Sequence, residues 1–287
     1  PTKEMVVGCY YLTSVCEEDR DKELKQDREN VRWFADQGEA LMAWERREIE
    51  LREYIGVLIE GEPVLTTVGR VILNQNIPEG LDYVNEPVDS TKIKKLVSIA
   101  FDNWEKSKVV DLIHSLKLMG FYGGTNSGVS PSIFDCKLLP GKQDLIDKAS
   151  EQASEIEDYY HEGLITQDEK IEKTQDLWIE TTEEIADLTW ERFGPDDPIK
   201  IISDAGIGRV SRDQIKQVSG MRGLVVDPLG RIVPLPTKSN FREGLSVFEY
   251  VTGARGSRKG LTDTALKTAD AGYLTRRLVD VAHSSLI

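Results

Sequence analysis

With 287 residues, 39% of them hydrophobic, the chain has enough length and apolar content for one large domain or two to three smaller ones, which excludes a disordered chain. The net charge of -14 excludes a surface built throughout for polyanions, and no apolar run approaches the roughly 18 residues that a bilayer-spanning helix needs. The N-terminal PTKEMVVGCYYL lacks the order of a signal peptide, so a cytoplasmic protein without membrane partners is expected.

Charge is unevenly spread. From Asp204 onward there are 13 Lys and Arg against 8 Asp and Glu, whereas residues 1–203 hold 23 against 42. An acidic body with a basic last third suits a protein that repels polyanions over most of its surface and admits them at one place. Cys9, Cys16 and Cys136 form no C-x-x-C pair, and His114, His161 and His283 are scattered, so neither a zinc site nor a disulfide framework is predicted.

In chain order, VVGCYYLTSV and IGVLIEG read as strands, with mixed helical signals between them. Two helices follow. The first is capped by Ser90 or Thr91 and carries Ile93, Leu96, Val97 and Ala100; the second carries Val109, Leu112, Ile113 and Leu116 and stops at Gly120. GGTNSGVSPSIFD reads as a loop. Residues 141–193 are the most regular block: Leu145, Ala149, Ile156 and Tyr159 or Tyr160 mark one helix and Gly163 breaks it. Thr166 with Glu169 then forms a capping box for a second helix, bearing Ile171, Leu177, Trp178, Ile185 and Leu188. The pair predicts an antiparallel helical hairpin whose acidic outer face is solvated. GPDDP reads as a linker or turn, and GLVV and RIVPL flank DPLG as a small β-hairpin. After Pro236 there is no proline, so a long helix is allowed from about Glu243.

Walker, G-x-S-x-G and H-E-x-x-H patterns are missing. Asp19 and Asp21 in EEDRD come nearest to paired metal carboxylates, and their polar surroundings read as a loop. The segment 256–281 is different. As a helix it puts Thr264, Thr268, Ala271, Gly272 and Thr275 on one stripe, while Leu261, Leu266, Leu274 and Leu278 point in several directions. Two readings stand for it: a surface low enough for a base pair or nucleotide to lie on, with cations to hold phosphates, or a central helix buried among small residues of its neighbours.

The stretch GARGSRKGLTDTALKTADAGYLTRRLVDVAH closely resembles the bridge helix of the beta-prime subunit of multisubunit bacterial RNA polymerases. QIKQVSGMRGL and SNFREGLSVFEYV resemble the segments before that helix, and PTKEMVVGCYYLT and TTVGRVILNQNIPEGL resemble the pore region of the same family. The predicted hairpin stands where the family has its funnel coiled coil. The resemblance implies an α+β fold, predominantly helical in its second half. Its segments would be a pore-like mixed region at 1–140, the funnel hairpin at 141–200, a connecting segment with the β-hairpin at 201–239, and the bridge helix with its lead-in at 240–287.

It further implies membership of a DNA-directed RNA polymerase. Thr268, Ala269, Gly272 and Tyr273 would lie at the template base and incoming nucleotide, Lys267 and Arg276 near template phosphates, and Arg222 along the channel that admits nucleotides. The family's phosphate-contacting arginine falls at Arg209, where AGIGRVSRD departs from the family's S-G-A-R-G. Implied partners are the beta and alpha subunits, the remainder of beta-prime, template DNA, nascent RNA and nucleoside triphosphates. The implied cofactor is Mg2+, bound by an N-A-D-F-D-G-D motif that would precede Pro1, just as the trigger loop would follow Ile287. The chain is thus expected to be the middle of a subunit, a fragment or one product of a split gene, inactive alone. The alternative is a nucleic-acid-binding or polymerase-interacting protein with no part in catalysis.

Overall fold

The computed structural model describes residues 2–78, 80–208 and 210–285. Its first elements are helices α1 (Glu4–Thr13) and α2 (Arg20–Lys25), strand β1 (Trp33–Phe34), helix α3 (Gln37–Glu45) and strands β2 (Tyr54–Ile59) and β3 (Glu62–Thr67). Helices α4 (Val68–Asn76), α5 (Ser90–Asn103), α6 (Lys106–Ser127), α7 (Lys142–His161) and α8 (Gln167–Glu191) follow, then α9 (Pro198–Asp204), α10 (Arg212–Ser219) and α11 (Val247–Ala282). The class is α+β with helix dominant, as the sequence predicts. One small sheet has the order β1-β2-β3, parallel between β1 and β2 and antiparallel between β2 and β3. The chain divides into two compact units, residues 1–137 with 191–212, and residues 138–190 with 213–287.

The first unit is organised on α1. The expectation of a strand at VVGCYYLTSV is overturned: Glu4–Thr13 is helical, with Val6, Cys9 and Leu12 buried beside Leu112 and Leu116 of α6. A helix buried on most sides reads as a continuous apolar run, which periodicity cannot tell from a buried strand. The packing is closer than side chains allow. A Cβ on Gly8 would lie 1.8 Å from the carbonyl oxygen of Gly120, and one on Gly123 would lie 2.2 Å from that of Gly8. Glycine therefore serves here as a point of backbone contact, so α6 continues through Gly120, its expected end, to Ser127. The first five residues of the expected loop, Gly123–Ser127, belong to this helix. The cap of α5 is also corrected: Asp89, one residue before the expected Ser90, accepts the Lys92 N–H at 2.7 Å. Ile93, Ala100, Val109, Leu112 and Leu116 are buried as the spacing predicts, while Ile113 is exposed.

Buried charges tie this unit together, Arg70 and Asp19 among them. Arg70 on α4, 1% exposed, donates from Nε to the Thr13 carbonyl at 2.8 Å and pairs with Glu23 of α2 at 2.6 Å. Asp19, expected in a loose loop, is buried instead. Its carboxylate accepts from Lys22 Nζ at 2.6 Å and from the Tyr54 N–H at 2.9 Å, joining the start of α2 to β2. Burial opposes ionisation of Asp19, but the Lys22 and Tyr54 hydrogen bonds outweigh it and hold the carboxyl below its usual range.

In the second unit α7 and α8 form the predicted hairpin. Gly163 turns the chain at φ 76°, and the Thr166–Glu169 capping box is present, with Thr166 N–H to Glu169 Oε2 at 2.8 Å and Glu169 N–H to Thr166 Oγ1 at 3.3 Å. Ile146, Ala149, Trp178 and Ile185 close around Met221 at the base, whereas Tyr159, Leu164 and Ile171 nearer the turn are exposed. The predicted β-hairpin is reduced to two antiparallel bridges, Gly223 with Thr237 and Val226 with Ile232. Its turn is as read: Gly230, at φ 84°, donates its N–H to the Asp227 carbonyl at 2.9 Å.

Candidate functional site

Helix α11 carries six of the eight residues that the sequence marks for function, Arg209 and Arg222 lying outside it. Ser246 caps it in a capping box with Glu249, and the 36 residues of Val247–Ala282 run unbroken through Gly253, Gly256, Gly260 and Gly272. Its N-terminal half is held by the β-hairpin. A Cβ on Gly253 would meet the Arg222 guanidinium at 2.3 Å, and one on Gly256 would meet the Val226 carbonyl oxygen at 2.6 Å. Lys259 Nζ donates to the carbonyl of Pro228. Beyond that contact the support ends: every described residue from Thr264 to Ser285 is exposed, and nothing lies within 4 Å of a Cβ built on Gly260 or Gly272.

A buried central helix is therefore not what this chain forms by itself. At about 100° per residue, Thr264, Thr268, Ala271, Gly272 and Thr275 share a sector roughly 100° wide. The threonine hydroxyls in it fold back onto the helix: Thr264 donates to Gly260 O at 2.8 Å, Thr268 to Thr264 O at 2.6 Å and Thr275 to Ala271 O at 2.8 Å. Their hydroxyl hydrogens are thus used internally, and the stripe is shallow and poor in free donors. Such a surface suits contact with the face of a flat ring better than hydrogen bonding to base edges.

Of the expected site residues, Lys267, Thr268, Ala269, Gly272, Tyr273 and Arg276 all lie on this exposed stretch, on one rod but not on one face. Thr268 and Gly272 lie in the stripe with Arg276 on its rim, Lys267 flanks one side, and Ala269 and Tyr273 turn toward the other. The ring of Tyr273 is covered by the Arg277 guanidinium at 4.4 Å, a cation–π contact that stiffens both side chains. Arg222 sits elsewhere. It packs at Gly253, about 22 Å along the helix from Thr268, with its guanidinium 5.3 Å from the Phe241 ring and facing a cavity of about 320 Å³ shared with Gln217 and Ser257. Arg209 lies outside the described residues.

Sequence reasoning passed over Glu249. Burial disfavours its charge, yet hydrogen bonds from Ser246 and Ser239 overcome this and bring its pKa down to about 2. The spacing Ser246-x-x-Glu249 was the available signal. Among the described residues no three His, Cys, Asp or Glu side chains converge as a metal site would require, and no helix is long and apolar enough to cross a membrane.

Two family models match the chain. One described as RNA polymerase Rpb1, domain 3 covers residues 1–136, and one described as RNA polymerase Rpb1, domain 5 covers residues 244–287, the span of α11 and its lead-in. The chain is 38% identical over 288 residues to the DNA-directed RNA polymerase subunit beta' of Desulforamulus reducens, and 40% identical over 290 residues to that of Thermosipho melanesiensis. With the corresponding subunit of Thermobifida fusca the identity is 36% over 306 residues. Each similarity covers 100% of this chain but only 24%, 17% and 23% of the respective relative, so the chain spans about a quarter of such a subunit or less. Two Rpb1 models in chain order, together with similarity to beta' along the whole length, establish that the chain belongs to the beta' family of DNA-directed RNA polymerase subunits.

Proposed function

We propose that this chain works within a cytoplasmic DNA-directed RNA polymerase by positioning the template base and the incoming nucleotide, and that the α7–α8 hairpin and Arg222 line the route by which nucleotides arrive. The observation that carries this reading is the exposed α11 stripe, with open space over Gly272. Thr268 and Gly272 give a shallow support for a base or nascent pair, with Ala269 and Tyr273 beside them. Lys267 and Arg276 are placed to contact template phosphates without reading sequence. The partners are the beta and alpha subunits, the remainder of beta', template DNA, nascent RNA and nucleoside triphosphates.

The reaction joins the RNA 3'-hydroxyl to the α-phosphate of a nucleoside triphosphate, and the chain's contribution is to hold reactants in register. The Mg2+ that such a polymerase uses finds no ligand cluster among the described residues. In this proposal the ion is held by residues outside this chain, and the role of this stretch is confined to orientation.

The test is reconstitution of the polymerase with this chain, without it, and with Gly272→Leu. No other part of this chain lies within 4 Å of a Cβ at Gly272, so the leucine is accommodated in the fold and fills the space over the stripe, with assembly checked by co-purification of the subunits. Nucleotide addition is expected to fall by about 100-fold, the scale of a misplacement near 1 Å. Normal synthesis without the chain would favour a polymerase-interacting protein with no part in catalysis, and an undiminished rate with Gly272→Leu would refute the stripe as the support.

A further inference from the structure

The lead-in to α11 is more firmly tied than the helix it precedes. Glu249 Oε1 accepts the N–H groups of Lys238 at 2.8 Å and Ser239 at 3.2 Å, while Oε2 accepts the Ser246 N–H at 2.9 Å. One carboxylate thus joins the strand leaving the β-hairpin to the first turn of α11. Lys238 extends the link: its Nζ donates to Ser150 Oγ of α7 at 2.9 Å and lies 5.3 Å from the Trp178 ring of α8. A second tie runs beside it, from the buried Lys142 of α7 to Glu243 at 2.6 Å.

We propose that Glu249 is a positioning residue, resting on the functional reading above, whose shared carboxylate sets the direction in which α11 leaves the base of the α7–α8 hairpin, with Lys238 carrying that setting to the hairpin. The lever is long. Thr268 lies 19 residues beyond Glu249, about 28 Å of helix, so a tilt of roughly 5° at the origin moves the stripe by about 2.5 Å. Further supports of α11, Gly253 on Arg222, Gly256 on Val226 and Lys259 on Pro228, come from the β-hairpin whose return strand ends at Lys238 and Ser239. Loosening Glu249 therefore loosens them together.

Glutamine at this position keeps the shape but not the chemistry. Its amide offers one oxygen and one NH2 group, so in either orientation an N–H donor of the lead-in faces another donor. Lys238→Met keeps the backbone bonds to Glu249 and removes only the Nζ bond to Ser150 and the charge over Trp178. The experiment measures amide exchange over residues 236–249, and kcat and KM for nucleotide addition, in polymerase reconstituted with E249Q or K238M. With E249Q, exchange is expected to rise at least 10-fold and kcat to fall about 10-fold with KM within twofold; with K238M, exchange stays slow and kcat falls about threefold.

Unchanged exchange in E249Q would overturn the clamp, and faster exchange with full kcat would show a structural tie without a positioning role. Full kcat in K238M would overturn the link to the hairpin. If Gly272→Leu leaves the rate intact while E249Q exchanges faster, the reading of the stripe fails and the clamp survives.

Discussion

Gly8→Ala tests the packing that organises the first unit. The added methyl would stand 1.8 Å from the carbonyl oxygen of Gly120 and 2.5 Å from the amide nitrogen of Gly124, both backbone atoms that no rotamer change can move. Restoring ordinary contact requires α1 and α6 to part by about 1.5 Å, which opens the layer of Cys9, Leu12, Leu112 and Leu116, each of which is 0% exposed. Overpacking typically costs 1–3 kcal/mol, and loosened contacts at several buried side chains add about 1–2 more. The gain in helix propensity from glycine to alanine returns about 1 kcal/mol, leaving a net loss near 3. With a urea slope of about 2 kcal/mol/M, the unfolding midpoint followed by far-UV circular dichroism shifts down by about 1.5 M. Gly124→Ala is the control, since its Cβ would meet only Glu4 O at 3.7 Å, and it is expected to stabilise by about 0.5–1 kcal/mol. Equal midpoints for the two variants would refute the reasoning.

Cys9 reports the same contact chemically. Burial pushes its thiol up to about 12, so it resists iodoacetamide at pH 8 in the native chain and becomes reactive in Gly8→Ala. Glu249 gives an acid-sensitive signature: its pKa is depressed to about 2, so its stabilisation is complete above the ordinary carboxylate range near 4.5 and is lost as pH falls from there toward 2. Discounted for partial exposure the effect is of order 1–2 kcal/mol, read as the difference in pH dependence of amide exchange between the native chain and E249Q. Glu23→Ala leaves the Arg70 guanidinium buried with one hydrogen-bonded anion fewer. Because Glu23 is 30% exposed and water can partly replace it, thermal unfolding is expected to show a loss of about 2 kcal/mol.

What was legible in the sequence followed from how much of each element faces water. The α7–α8 hairpin, one side packed and the other solvated, printed a clear period and its capping box. The turn at Asp227–Gly230 and the proline-free reach of α11 were equally plain. The errors fell where glycine and burial blur the signal. Helix α1 is apolar on most sides and so resembles a strand, and Gly120 resembles a stop because a contact glycine and a terminal glycine look alike in one dimension. Asp19 and Arg70 show the same limit for charge: their partners, Tyr54 and Thr13, lie 35 and 57 residues away, and no local pattern announces them. The stripe on α11 was readable as a surface, and its openness could come only from coordinates. The clamp at Glu249 needed both, the capping-box spacing and the return of the chain at Lys238.

The closing of the chain upon itself at Lys137 has its own consequence. The ammonium group there donates to the Arg192 carbonyl at 3.2 Å and pairs with Asp197 at 2.6 Å, so the points where the chain departs at 137 and comes back near 191 are stitched side by side. The intervening residues 138–190 therefore form a loop whose two ends are held together within the first unit. Whole helical turns can be added or trimmed near Gly163 for only about 0.1 kcal/mol of loop-closure entropy per two turns, because that cost grows with the logarithm of loop length. The length of the α7–α8 hairpin can therefore vary while the contacts of Lys137 stay as they are.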